Sequence, residues 1–373
     1  MWMPNFRLTA VFRRFLINRE FLCKKHTAHK PLVFSGIQPT GVPHLGNYFG
    51  AIKKWSILQN EGEKCIFSIV DLHSITLPQD PLTLRQNIHI MAACLLACGI
   101  NPDLSVFFLQ SQVPYHTELA WILGCMTTTT RLTHLPQYKL ENVKTFVNYL
   151  QEKAGSVENI PLGLYIYPIL QSADILLYKA TKVPVGEDQI QHIQLCQHLV
   201  KVFNNKYGKI FPVPSALIEE SSARIKSLRQ PEKKMSKSDS NIRNRIEITD
   251  PPDMVTKRIK EAVTDCTSAV TYDMEQRPGV SNLILIHSLC TGKSCQSICD
   301  ENRNLDTGQY KGVVAEAVVE YLKPIRLEFQ RLMAEPSHIV QILQKGSEKA
   351  SEIAQQTIDE VKKVVGLTHL GRS

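Results

Sequence analysis

Five consecutive residues, Lys234-Met235-Ser236-Lys237-Ser238, put two ammonium groups and two hydroxyls on a stretch rich in Lys, Arg, Ser and Asn. Lysines on long stems can follow a phosphate charge as it migrates, which a rigid scaffold cannot do. Taken alone, the stretch reads as a solvated basic loop. Its partner lies far upstream, in Phe34-Ser35-Gly36-Ile37-Gln38-Pro39-Thr40-Gly41 followed by His44-Leu45-Gly46-Asn47. There Gly36, Gly41 and Gly46 let backbone approach a ligand, and the chain then enters a helix whose first N–H groups favour anions. His44 and Asn47 add neutral donors. Such a turn is often nothing more than a turn, and it is neither GxGxxG nor GxxxxGK[ST]. Together the two segments read as the two ends of one phosphate-gripping site.

The elements that would position them alternate. A short strand over 32–35 runs into the glycine loop, and a helix follows with Tyr48, Ile52, Trp55 and Leu58 at helical spacing. An apolar run over 65–70 fits a strand covered on both faces, and 105–109 another buried strand, with a helix over 82–98 between them. This order predicts an α/β fold with a parallel sheet and right-handed crossovers, its ligands at the carboxyl ends of the strands. Residues 115–175 break the alternation as a mainly helical insertion with a polar excursion over 139–155. A strand over 182–185 leads to Gly186-Glu187-Asp188 and a helix carrying Ile190, Ile193, Leu199 and Phe203. Residues 221–245 read as a basic loop. Beyond it, Asp250 as N-cap and Pro251 in the first turn predict a helix with Val255, Ile259 and Val263 on one face. A last helix sets Ile353, Thr357, Ile358, Val361 and Val365 on another. The reading is a catalytic domain over 31–245 and a separate helical domain over 246–373.

Composition bounds the rest. With 373 residues, 43% of them hydrophobic, the chain can bury a large core. No apolar run approaches the roughly 18–20 residues of a membrane span, so no membrane association is expected. Of the net charge of +8, six units lie in residues 1–30, where seven Lys/Arg face only Glu20. The remainder is nearly neutral, so overall basicity says little about nucleic acid. The basic, acid-poor segment, with Phe12, Phe15, Leu16 and Phe21 between the charges, fits a mitochondrial targeting peptide and hence the matrix. A basic arm touching nucleic acid is the alternative. The ten cysteines contain no CxxC, so reduced thiols are expected and no protein-held metal. Arg326 and Arg331 read as surface cations.

At this point the residues carry a resemblance. His44-Leu45-Gly46-Asn47 and Lys234–Ser238 resemble the two signatures of class I aminoacyl-tRNA synthetases. The likeness to the bacterial and organellar tryptophanyl group extends over Ile69–Thr76, Gln110-Ser111-Gln112-Val113-Pro114, Ala173–Tyr178, Val183–Gln189 and Pro278-Gly279-Val280-Ser281-Asn282. It implies a Rossmann-like catalytic domain, a C-terminal helical domain that binds the tRNA anticodon, and a homodimer. It also implies tryptophan activation with ATP and Mg²⁺, then transfer from the adenylate to tRNA(Trp). The tyrosyl enzymes share fold and reaction. They usually carry a tyrosine-recognising side chain in the first strand-loop, where this chain has Gly36–Gly41. A synthetase-derived RNA-binding protein without catalysis is the alternative outside the enzymes. The presence of His44, Asp174 and Lys237 speaks against it.

By the same resemblance, Gln38, Pro39, Thr40, His44, Leu45, Gly46 and Asn47 match the ATP loop, with Gln38, His44 and Asn47 among the catalytic candidates. Gly186, Glu187 and Asp188 match the ribose and adenine side, and Ile225 an adenine contact. Lys234 and Lys237 are to hold the pyrophosphate moiety, with Met235, Ser236 and Ser238 in the same loop. Asp174 matches the acceptor of the indole N–H; a buried carboxylate left unpaired without indole would reject phenylalanine. Tyr167, Gln171, Gln189, Val183, Val185, Phe34, Gly36 and His73 are the other pocket candidates. Lys153 stands where bacterial relatives contact ATP phosphate, but beside extra residues between Lys139 and Lys153.

Overall fold

The apolar runs become the centre of a five-stranded, all-parallel sheet in the computed structural model, which describes residues 30–133, 135, 161–218, 225–237, 239 and 241–367. Residues 1–29, the excursion over 139–155, Lys153 and Ser238 lie outside the described residues. Strands β1 (Val33–Ile37), β2 (Cys65–Ile69), β3 (Val106–Leu109), β4 (Lys182–Pro184) and β5 (Ser215–Leu217) lie in the order β3-β2-β1-β4-β5. β2 is buried at all five positions, Ser68 among them, as expected of a strand covered on both faces. β5, short and preceded by Pro214, gave no strand signal in the sequence.

Between strands run α1 (Leu45–Asn47), a π-helical turn (Tyr48–Ile52) and α2 (Lys53–Asn60), then α3 (Asp71–Ser74) and α4 (Pro81–Ala97). The insertion supplies α5 (Tyr115–Gly124), α6 (Thr129–Thr133) and α7 (Leu162–Leu177), and α8 (Ile190–Tyr207) follows β4. The C-terminal part is helical: α9 (Pro252–Lys260), α10 (Pro278–Thr291), α11 (Cys295–Glu301), α12 (Thr307–Ala334) and α13 (Pro336–Val365).

Side chains alternate across the sheet and build two cores. Val33, Phe67 and Phe107 face one core with α4 and the helices α9–α12; Phe34, Ile66 and Phe108 face the other with α5, α7 and α8. α13 joins both cores, Ile339 and Leu343 entering the first and Ala350, Ala354 and Ile358 the second. It crosses the sheet edge at Gly346, where a Cβ would overlap the Phe107 carbonyl oxygen. The edge strand β3 is thereby covered. Pro31–Ser373 forms one compact unit.

The topology fixes where a ligand can bind. The chain builds outward from β1 to β2 and β3, then returns to the other side of β1 for β4 and β5. Crevices at such a switch point lie beyond the carboxyl ends of the strands. Here β1 pairs with β2 at every position but with β4 only at Val33↔Lys182. Beyond that pair, Ser35 Oγ donates to Pro184 O at 3.4 Å, a side chain spanning a gap that the backbone ladder leaves.

Three local expectations are corrected. Asp250 does not cap α9. Pro251 occupies the N-cap, and the Asp250 carboxylate accepts instead from the Glu247 N–H and the Arg258 guanidinium. Val263 lies beyond the end of α9 and is exposed. Arg326 is 7% exposed and donates to Val319 O at 3.3 Å, so it is no surface cation. Arg331 is at the surface, paired with Glu328.

Candidate active site

The glycine loop leaves β1 at the switch point, and His44 caps the helix that follows. Its Nδ1 accepts from the Asn47 N–H at 3.2 Å, while the Asn47 Oδ1 accepts from the His44 N–H at 3.2 Å. Burial first, then the charges of Lys237, Arg245 and Lys234, lower the His44 pKa to about 3. The imidazole is therefore neutral and keeps its proton on Nε2. A Cβ on Gly46 would come within 2.9 Å of the His44 ring, so glycine is what lets the ring fold over the first turn. The anion-favouring end is narrower than expected, because Leu45 N donates to Ile246 O and Asn47 N to His44.

Within the basic stretch, Ile225–Met235 form a small antiparallel hairpin. Ser227 N donates to Lys233 O and Met235 N to Ile225 O, so Lys226 and Lys234 face each other as the pair between these bonds. That geometry sets two lysine side chains next to each other on one face, a destabilising arrangement unless an anion offsets it. Lys226 was not singled out in the sequence. Lys237 then reaches back to the glycine loop, its Nζ donating to Gly41 O at 2.8 Å and Thr40 Oγ1 at 3.2 Å across 196 and 197 residues. The two segments are in contact, as their pairing in the sequence implied.

A third segment staples them together, and it was missed. Glu247 bridges to His44, Ile248 N donates to Pro43 O, and Arg245 donates to the carbonyls of Lys237 and Asp239. Alternating apolar Ile246 and Ile248, both fully buried, were the available signal. Arg245 also contributes to the electrostatics around Lys237. Burial first lowers that lysine to about 8, opposed by Cys94 and Glu247 and aided by Arg245.

Across the crevice, the loop after β4 carries Gly186, Asp188 and Gln189. A Cβ on Gly186 would meet Asp188 Oδ1 at 2.6 Å, so the glycine lets this carboxylate fold back over the backbone. Gln189 donates to Asp188 at 2.8 Å and accepts from Gln171 Nε2 at 3.2 Å and His192 Nδ1 at 2.8 Å. Tyr167 OH lies 3.5 Å from His192 Nε2. Burial lowers His192 to about 4, so the ring is neutral and accepts from the phenol. One polar chain thus joins the proposed ribose side to Tyr167 and Gln171. His192, three residues after Gln189 on α8, was missed in the sequence.

Asp174 sits on α7, 2% exposed, at the centre of a closed set of donors. His73 Nε2 donates to its Oδ2 at 2.8 Å; Gln110 Nε2 and His116 Nδ1 donate to its Oδ1 at 2.7 and 2.6 Å. Tyr178, kept protonated by burial, donates its O–H to His116 Nε2 at 2.8 Å. Burial alone raises the Asp174 pKa, but the bonds from His116 and His73 outweigh it and hold the carboxyl well below the usual range. The expectation that this carboxylate stands unpaired without indole is therefore corrected. Among the described residues three donors already hold it, two on Oδ1 and one on Oδ2, so Oδ2 retains an acceptor position for a further N–H. Gln110 and His116 were given no role in the sequence, although Gln110 opens one of the segments that carry the resemblance; both are fully buried.

The remaining candidates divide by exposure. Gln38, Thr40 and Gly36 are exposed, whereas Val183 is buried in the second core and Val185 is packed, partly buried, against it. Leu45, Met235 and Ile225 have their side chains in the first core, which leaves only their backbone for a ligand. Phe34 is likewise core, stacked on Tyr178 at 5.6 Å between centroids.

Residues 26–323 match the family described as tRNA synthetases class I (W and Y). The mitochondrial tryptophan–tRNA ligase of Caenorhabditis elegans is 45% identical over 345 residues, 91% of this chain and 92% of its own. The tryptophan–tRNA ligase of Bacillus anthracis is 41% identical over 341 residues, 91% of this chain and 99% of its own. A tryptophanyl-tRNA synthetase structure from Campylobacter jejuni, complexed with ADP and tryptophan, superposes with a TM-score of 0.76 at 34% identity, covering 90% of this chain and 99% of that one. The chain belongs to the class I aminoacyl-tRNA synthetases of the tryptophan and tyrosine group. Within that group it is one of the tryptophanyl enzymes of the bacterial and mitochondrial type.

Proposed function

We propose that the chain attaches L-tryptophan to tRNA(Trp) in two steps, serving mitochondrial translation as a homodimer. The tryptophan carboxylate attacks the α-phosphate of ATP to give tryptophanyl-adenylate and pyrophosphate, and a hydroxyl of the terminal ribose of the tRNA then takes the tryptophanyl group, releasing AMP. The observation that carries the first step is the contact of Lys237 with Thr40 and Gly41. That contact sets an ammonium group on the loop proposed to take the triphosphate, which supports the reading. Lys234 and Lys237 take up the negative charge of the leaving pyrophosphate, while Gln38, Gly46 and Asn47 align the phosphates; such chemistry needs positioning and charge neutralisation more than covalent help. Gly186, Glu187 and Asp188 hold the ribose and adenine, with the backbone of Ile225 and Met235. Mg²⁺ enters with the triphosphate as part of the substrate.

Asp174 selects the amino acid by accepting the indole N–H on Oδ2, with Tyr167, Gln171, Gln189, His73, Val183 and Val185 around the ring. Residues 31–245 do the chemistry and 246–373 bind the tRNA. The mitochondrial assignment rests on the composition of residues 1–30, since mitochondrial and bacterial relatives are about equally similar. Charging of purified tRNA(Trp) with tryptophan tests the whole reading, and absence of charging would contradict it. A fusion of residues 1–30 to a reporter tests the compartment, and a reporter left in the cytosol would remove that part alone.

Lys237 gives a pH signature. Its charged form is the protonated one, present below about 8 and lost above. Because kcat/KM for ATP reports the free enzyme, it is expected to fall as pH rises through about 8. Lys237→Arg should move that limb upward, since guanidinium stays protonated. A profile that stays flat to the ordinary lysine range, about 10.4, would contradict this.

A further inference from the structure

We propose that Asn282 is a positioning residue for adenylate formation, clamping the strand partner of Lys234 and so fixing where Lys234 and Lys237 sit. The motif Pro278–Asn282 opens α10, outside the crevice, and the steps above give it no task. Asn282 is 1% exposed. Its Oδ1 accepts from the Lys226 N–H at 2.8 Å and its Nδ2 donates to the Lys226 carbonyl at 3.0 Å.

The reason lies in the hairpin. Its two cross-strand bonds use the groups of Ile225, Ser227, Lys233 and Met235, so the N–H and C=O of Lys226 point away from Lys234. A carboxamide carries a donor and an acceptor in one plane, as a peptide group does, and here it stands in for a third strand one residue long. The same strand is tied further along, where Val263 N donates to Leu228 O at 2.8 Å. Gly279 brings α10 against that segment, because a Cβ there would overlap the Val263 carbonyl oxygen. The lysine loop is thus registered from the helical part of the chain as well as from the sheet.

The inference rests on the reading that Lys234 and Lys237 act on ATP phosphates, and the test separates the two. Tryptophan-dependent ATP–pyrophosphate exchange is measured on the full chain for wild type, Lys237→Ala, Asn282→Ala and Asn282→Asp, alongside backbone hydrogen exchange. Loss of two hydrogen bonds at Lys226 is expected to lower kcat for Asn282→Ala by about tenfold to a hundredfold, with KM for tryptophan within about twofold. Asn282→Asp keeps the acceptor for the Lys226 N–H but turns a carboxylate oxygen towards the Lys226 carbonyl, so its loss is expected to be at least as large. Faster amide exchange should be confined to Lys226 and 233–237. Wild-type kcat in Asn282→Ala overturns the proposal. So does a loss matched by an equal rise in KM for tryptophan with deprotection throughout, which marks a merely structural role. If Asn282→Ala does not fold, Asn282→Asp decides by the same readouts. An active Lys237→Ala would instead sink the underlying reading.

Discussion

Replacing Lys237 with alanine is expected to slow tryptophanyl-adenylate formation by about 10²–10³-fold while tryptophan affinity stays within about twofold. The asymmetry follows from where the ammonium sits. Its Nζ touches Thr40 and Gly41 on the loop that follows β1, whereas the candidate indole acceptor lies in a separate buried set on α7. A cation near departing pyrophosphate matters most when negative charge has built up there, so it lowers the barrier without holding the amino acid. Rapid-quench measurement of adenylate formation beside calorimetric tryptophan binding checks this. Parallel losses, or an undiminished rate, would contradict it.

Asp174→Asn should have a different signature. An amide cannot accept from His73, Gln110 and His116 as a carboxylate does, and its own N–H groups would meet those donors inside a buried set. Loss of a charge-assisted bond to indole is expected to weaken tryptophan binding by about 10- to 150-fold. The mismatch should also destabilise the fold by about 1–3 kcal/mol. In the wild-type chain the depressed carboxyl contributes stability above the ordinary carboxylate range, about 3.9, and loses it as pH falls towards its own lower pKa. The variant should therefore show a weaker acid dependence of thermal unfolding. Equal affinity and an unchanged melting profile would remove Asp174 from the pocket.

The sheet was legible because its central strands are largely buried, so that Cys65–Ile69, broken only by Ser68, and Val106–Leu109 appear as apolar runs. β5 was not, being three residues beside a proline. The two lysine and glycine segments were legible as a pair because their residue types converge on one chemistry. The staple of Arg245–Ile248 was not, since strand bridges between distant segments leave only a two-residue alternation. Asp174 was readable from its apolar neighbours, but its partners His73, Gln110 and His116 come from three other elements. Their convergence is set by tertiary packing. Asp250 shows the reverse failure, where a locally plausible cap was outcompeted by a buried arginine, Arg258.

The central claim is that one crevice joins phosphate-handling lysines to a carboxylate that chooses tryptophan. ATP–pyrophosphate exchange on the purified chain, run with each of the twenty amino acids in turn, tests it most directly. Exchange driven by tryptophan, with tyrosine and phenylalanine at background, is the predicted result. Exchange with tyrosine as fast as with tryptophan, or none with either, would contradict it.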